Sequence, residues 1–317
     1  MSSTLSIIAN PHSHRNRLWP LAAEALRKAA PGAPILETGT AEELRQALRK
    51  IAHDRPSVLA IAGGDGTVQH TLTALRSVLG DDLPRLALLG GGALDSLANG
   101  LGGSGDPEDR LRRIAEALHA GVELQHDERD TLCVAEQGKN PLEGRLGFRM
   151  GAGLPQRFLE ALAATGRPSP ARGALLAASA LCSSVVRGPL AQRLYQELPV
   201  SVALDGDEWP RVPLFGLLCA SVAEAGLGLR PFRRAVEQPG FFQVLGLTGS
   251  QRQFAAELPR MLIGLPARRD RLLDGVAEKV ELRGAPGLPY LLDGELRTAG
   301  KSLIVTLGPR IRVVRAA

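Results

Sequence analysis

Two patterns of apolar and polar positions divide the chain near residue 122. Before it, short unbroken apolar runs are followed by stretches whose apolar positions recur every three or four residues, as in buried parallel strands and the helices that cover them. Residues 5–9 (LSIIA) form a strand that ends at Asn10-Pro11, 18–30 a helix stopped by Pro31-Gly32, and 34–37 a short strand. Thr40-Ala41-Glu42-Glu43 is a capping box that opens a helix to residue 53. The run 58–62 (VLAIA) predicts a strand buried on both faces. Gly63-Gly64-Asp65-Gly66-Thr67 ends it, and Thr67 is expected to cap a helix over 67–79. A strand at 85–89, a second glycine turn at Gly90-Gly91-Gly92, a short helix through Leu94, Leu97, Ala98 and Leu101, and an amphipathic helix over 106–120 complete the series.

Beyond residue 122 strands are expected at 131–135, 146–150, 200–204, 214–221 and 241–247, separated by Gly, Pro and charged turns, with one helix over 155–164. The uncharged run 173–186, between Arg172 and Arg187, is too short to span a bilayer. It reads either as a core helix or as a helix at a lipid entrance whose flanking arginines meet phosphate headgroups. Two apolar strands run into Asp-Gly pairs. Asp205-Gly206 reads as a hairpin, and Leu291-Leu292-Asp293-Gly294-Glu295 as a hairpin or a site. The fold class expected is an α/β N-terminal domain with a parallel sheet (1–124, with 300–317 returning to it) and a mostly antiparallel β-sandwich (125–299).

Glycine without Cβ lets the backbone turn sharply and bring its N–H groups to a polyanion, so Gly63, Gly64, Gly66 and Thr67 are candidate phosphate ligands. Asp65 among them is placed to hold a metal ion bridging phosphate oxygens or to accept a proton from a hydroxyl. Asn10, at the end of another strand, lines the same crevice if the sheet is open and parallel. Asp95 and Ser96, after the second glycine turn, act either as helix caps or as groups facing a ligand.

Composition narrows the partners. Lys and Arg exceed Asp and Glu by 38 to 33, a formal charge of +5, which suits an anionic membrane surface or substrate but is too small to argue for nucleic acid. With 3% aromatic residues, stacking platforms for single-stranded nucleic acid are not expected either. Cys133, Cys182 and Cys219 form no paired motif, and the N-terminus has no signal-peptide pattern, so a cytoplasmic protein is expected.

In their order, Asn10-Pro11, Gly63-Gly64-Asp65-Gly66-Thr67 and Asp293-Gly294-Glu295 resemble the diacylglycerol and sphingosine kinase-like family of soluble bacterial lipid kinases. Residues 145–153 and 215–231 are similar to its second-domain strands, and the glycine loop is similar to those of NAD kinases and phosphofructokinases. The resemblance implies a phosphofructokinase-like first domain that binds ATP and Mg²⁺ at Asn10, the Gly63–Thr67 loop and Gly91-Gly92, with the lipid between the domains. It implies transfer of the γ-phosphoryl group to the hydroxyl of diacylglycerol or a ceramide or sphingoid lipid. Asp293 or Asp65 would be the proton acceptor, Glu295 would assist metal or base, and the metal would lie on Asp65 and Glu295. Peripheral contact with the inner membrane face, a role in phospholipid biosynthesis and a homodimer are consistent with it. The chain departs from the family in three places. Gln69-His70 replace Asn-Glu, Gly92-Ala93-Leu94-Asp95 replaces Gly-Thr-x-Asn, and Gln238-Pro239-Gly240 replaces Asp-Asp-Gly. Asp95 then suggests a different lipid headgroup, and no second structural metal is expected. The departures leave open a non-catalytic lipid or nucleotide sensor of the same fold, and the shared glycine loop leaves open an NAD kinase-like enzyme or a kinase for a sugar phosphate.

Overall fold

The computed structural model of the protein describes residues 4–315, except 14, 19–20, 93–94, 102–104, 139–142, 167–169, 187, 266–267, 269–271, 285 and 301. Two compact units form: Met1–Arg129 with Pro309–Ala317, and Asp130–Gly308.

The first unit runs β1 (Leu5–Ala9), α1 (Leu21–Ala29), β2 (Ile35–Glu37), α2 (Ala41–Asp54), β3 (Val58–Gly63), α3 (Asp65–Leu79), β4 (Arg85–Gly91), α4 (Ser96–Leu101), α5 (Pro107–His119) and β5 (His126–Arg129). Its six-stranded sheet has the order β2-β1-β3-β4, then the C-terminal strand Ile311–Val314, then β5. Pairing is parallel up to Val313↔Leu86, and β5 adds an antiparallel edge. Every residue of β3 is buried, as its unbroken apolar run requires of a central parallel strand. The predicted Thr40–Glu43 capping box is present at the start of α2.

Two local expectations change. α3 begins at Asp65, with Gly64 as its N-cap, so Thr67 lies inside the first turn and caps nothing. Gly64 is extended (φ −77°, ψ −179°), so the helix starts three residues earlier than a Thr67 cap would place it. β4 also runs on through Gly90 and Gly91, where a register shift opposite Ile61 and Ala62 uses positive φ at both glycines.

The second unit contains β6 (Leu132–Glu136), β7 (Arg145–Gly147), β8 (Arg149–Gly153), α6 (Leu154–Ala164), α7 (Pro170–Val186), α8 (Pro189–Leu194), β9 (Val200–Leu204), β10 (Asp207–Glu208), β11 (Leu214–Ala220), α9 (Arg233–Glu237), β12 (Phe242–Thr248), α10 (Gln251–Leu262), β13 (Leu272–Ala277), β14 (Lys279–Gly284), β15 (Pro289–Leu292), β16 (Glu295–Thr298) and β17 (Ser302–Leu307). It is two antiparallel sheets of six strands, β10-β9-β14-β17-β6-β7 and β13-β12-β11-β8-β15-β16. One core joins Leu132, Val202 and Val280 of the first sheet to Met150, Leu217 and Leu292 of the second. β17 stays in this unit, and the returning segment begins at Pro309. The α/β-plus-sandwich fold class stands. Among the described residues no helix is long and apolar enough to cross a membrane.

The chain passes between the two sheets at two sharp corners, Phe148 between β7 and β8 and Glu278 between β13 and β14. Each corner is held by an aspartate from an Asp-Gly hairpin. Asp205 accepts from the Glu278 and Lys279 amides at 3.0 and 2.7 Å. Asp293 accepts from those of Phe148 and Arg149 at 2.8 and 3.0 Å.

Candidate active site

The strand order changes direction between β1 and β3, since β2 lies on one side of β1 and β3 and β4 lie on the other. Loops at the carboxyl ends of such a pair are where open α/β sheets hold ligands. Asn10 follows β1, and Gly64 to Thr67 follow β3. Asn10 Nδ2 donates to Thr67 Oγ1 at 3.1 Å, and the Asn10 backbone N–H donates to Ala62 O at 3.0 Å. The next turn is tied in as well: Asn10 Oδ1 accepts from the His12 amide at 2.9 Å and Asn10 O from Asn16 Nδ2 at 2.9 Å. The first-turn amides of α3, those of Gly66 and Thr67 included, have no acceptor within the helix, as at any helix N-terminus.

The two glycine segments lie back to back, and this is why they lack side chains. A Cβ on Gly64 would stand 2.8 Å from Gly92 Cα, and one on Gly63 would stand 2.6 Å from the Thr67 side chain. The Gly91 and Gly92 amides, expected to face phosphate, both donate to the Asp95 carboxylate, at 2.9 and 2.6 Å. Asp95 sits in the left-handed region (φ 45°) and folds back onto that turn, so its side chain does not cap α4. Asp65 takes that role from a different helix: its Oδ1 accepts from the Leu97 amide at 3.1 Å, in the first turn of α4. Ala93 and Leu94 lie outside the described residues, as does the side chain of Ser96.

Burial raises the Asp95 carboxyl above its ordinary range. The Gly91 and Gly92 amides oppose that rise, the neighbouring Asp65 charge adds to it, and Arg110 offsets it. Arg110 is a site residue that sequence reasoning missed. Its guanidinium, lowered by burial, donates to Leu89 O at the end of β4 and to Ala98 O of α4 at 3.5 Å. An arginine beside the inward-facing Leu111 and Ile114 of α5 was the available signal. Of the departures, Gln69 is buried and donates to Thr73 Oγ1 at 3.2 Å, while His70 lies on the exposed face of α3.

In the second unit, Asp293 and Gly294 both have positive φ (44° and 92°) and turn the β15–β16 hairpin, a geometry suited to Asp-Gly. Asp293 is 2% exposed, and the Arg149 guanidinium Nε lies 3.4 Å from its Oδ1. Two residues on, Glu295 is half-exposed and stands 3.8 Å from Arg297 Nη2. The structure thus gathers Asn10, Gly63, Gly64, Asp65, Gly66, Thr67, Gly91, Gly92 and Asp95 in the first unit, and Asp293 with Glu295 in the second.

Residues 4–125 match the family of the diacylglycerol kinase catalytic domain. No curated protein matches the chain. Among solved structures, a proposed diacylglycerol kinase from Bacillus anthracis str. Sterne is similar at a TM-score of 0.73 and 14% identity, covering 99% of this chain and 97% of that one. A diacylglycerol kinase structure from the same organism is similar at 0.65, with the same 14% identity and the same coverage of 99% and 97%. Yeast NADH kinase complexed with NADH is similar at 0.52 and 12% identity, covering 99% and 84%. At these identities the structural likeness is one of fold.

Proposed function

We propose, for a chain whose residues 4–125 match the diacylglycerol kinase catalytic domain family, that it is an ATP-dependent lipid kinase. The acceptor would be the hydroxyl of a neutral lipid, diacylglycerol or a ceramide or sphingoid lipid. One observation carries this reading: Asn10, the Gly63–Gly64 turn, Asp65 and the N-terminus of α3 meet at the switch point of the sheet.

The residues fit a nucleotide triphosphate on one side of the double turn. The first amides of α3 lack acceptors within the helix and are the proposed anion donors, and absent side chains at Gly63 and Gly64 leave the backbone approachable. Gly91 and Gly92 support this turn from behind, with their amides held by Asp95. Among the described residues no group of three or more Asp, Glu, His or Cys side chains is placed to hold a metal. Mg²⁺ is commonly held by one or two carboxylates together with phosphate oxygens and water. Asp65 would be its ligand in this unit. ATP with its metal supplies the transferable phosphoryl group, and the protein supplies position, charge and a proton acceptor. Asp65 is proposed either as this metal ligand or as the proton acceptor, since its Oδ1 already holds the Leu97 amide. Asp293, both of whose oxygens hold backbone amides, positions the turn that carries Glu295.

The test is transfer of labelled γ-phosphate from ATP with Mg²⁺ into diacylglycerol, ceramide, sphingosine and NAD, presented in mixed micelles. A labelled lipid supports the reading, and Asp65→Ala should lower its formation by about a hundredfold or more while leaving the fold intact. Asp95 also favours a second reading, a nucleotide sensor, because it brings negative charge beside Asp65. ATP binding with no labelled product would establish that reading. Label in NAD alone would point to an NAD kinase-like enzyme.

A further inference from the structure

The first unit holds a cavity of about 430 Å³ at the end of its sheet away from the glycine turns. Its walls come from the segment 55–57 before β3, the segment 82–85 that leads into β4, Glu123, His126 and Arg312 of the C-terminal strand. β3 is six residues long, so about 20 Å of strand separates this opening from the glycine turn at Gly63. The buried Ile51 and Leu83 and the half-buried Leu79 give the cavity an apolar lining.

Two of its arginines face each other without a counter-charge. Val313 pairs with Leu86 across parallel strands, so Arg312 and Arg85, each one position earlier, stand side by side on the other face of the sheet. Like charges side by side on neighbouring strands are destabilising unless an opposite charge lies between them. Neither arginine forms an ion pair among the described residues. Arg85 Nε donates to Ser57 O at 3.4 Å and Arg312 Nη2 to Leu83 O at 3.2 Å. Those carbonyls hold the two guanidinium groups and leave further N–H donors for a ligand. The carboxylates of the cavity stand elsewhere. Asp82 makes a loose pair with Arg55 at 3.5 Å, both side chains being mostly exposed, and the exposed Glu123 forms no ion pair among the described residues. Helix ends do not account for the arginine pair either. Arg55 is the C-cap of α2, where a cation complements the dipole, but Arg85 and Arg312 belong to strands.

We propose that this cavity binds a small phosphomonoester, with its phosphoryl group between Arg85 and Arg312 and its organic part against Ile51, Leu79 and Leu83. Guanidinium forks match phosphoryl oxygens two at a time, and a dianion offsets both charges where a carboxylate offsets one. The volume suits a phosphoryl group with a short organic body. The site is independent of the lipid-kinase reading, since it lies at the opposite end of the strands that carry the glycine turns.

Isothermal titration calorimetry of the full chain in chloride buffer, with hexyl phosphate as the probe, tests this. Hexyl phosphate should bind about tenfold or more tighter than inorganic phosphate because of its alkyl chain, and tighter than hexanoate because of its second charge. Arg85→Gln/Arg312→Gln should weaken that binding by about tenfold or more, at a thermal midpoint in chloride that is unchanged or raised because the repulsion is gone. Arg312→Gln alone, at an exposed side chain, should weaken it about fivefold, and it carries the test if the double variant does not fold. Vesicles of phosphatidic acid that displace hexyl phosphate would assign the phosphomonoester to a lipid headgroup, and vesicles that do not would assign it to a soluble ester. Either result supports the site. Absence of hexyl phosphate binding overturns the proposal, as does equal affinity for hexanoate. So does affinity retained by Arg312→Gln and the double variant, which would place the phosphate elsewhere, such as at the glycine turn. No step of the test requires phosphoryl transfer, so its failure leaves the kinase reading where it stands.

Discussion

Asp293 and Asp205 hold the same place in two hairpins. Each follows an apolar strand, adopts positive φ before glycine, and closes both amides of a corner where the chain changes sheet. The corners need this because a chain leaving one sheet loses its ladder partners, and buried amides without acceptors are costly. Asp293→Asn sets an NH₂ group against N–H donors, and it should cost about 1–3 kcal/mol in urea unfolding. The exposed counterpart Asp205→Asn should cost less, since water can replace its bonds. If Asp293→Asn abolishes phosphoryl transfer at unchanged stability, Asp293 is the base and the positioning role assigned to it is wrong. The Asp-Gly dipeptides themselves were legible as turns. Which amides their carboxylates close was not, because Phe148 and Asp293 are 145 positions apart in the chain.

At the scale of elements, α5 shows how local signals carry through. Asp106 caps it, accepting from the Glu108 amide at 3.0 Å, and Arg15 from the first loop reaches the same carboxylate at 2.7 Å. A hydrogen bond shared with the Glu108 carboxyl, aided by Arg15, holds Asp106 down to about 2 from its ordinary 3.8, while burial raises Glu108. A depressed carboxyl favours the fold when ionised. Its contribution is present above pH 3.8 and is lost as the pH falls towards 2. Asp106→Ala should therefore cost about 1 kcal/mol near neutrality, and thermal unfolding should show the difference from the parent shrinking across that acid window. α10 makes the opposite point. Its Ser250–Gln253 capping box was present in the sequence, but the Pro259 inside the helix and its mixed face gave no clean periodicity.

At the scale of the whole molecule, the last strand is an internal member of a sheet whose other strands lie within the first 129 residues. Ile311–Val314 sits between β4 and β5, pairing Val313 with Leu86 and Arg312 with Glu128. A chain ending at Gly308 leaves β4 with an open edge and β5 with no partner in that sheet. It should lose the cooperative unfolding transition of the first unit and aggregate through that edge, as circular dichroism and light scattering would show. Restoring 309–317 restores both strand pairings.

The sequence by itself determined the fold class and most of the element types of the first unit, because buried parallel strands and their covering helices carry distinct periodicities. It also marked the sharp glycine turn after β3, because an unbroken apolar run that ends in Gly-Gly-Asp-Gly stops the strand there. Only the tertiary structure decided what those groups touch. Asp65 caps a helix that begins 31 residues later, Asp95 fills the second glycine turn, and Arg110 ties α5 to β4. Each depends on a side chain meeting backbone from a distant segment, a contact that periodicity does not encode because it is fixed by how the elements pack.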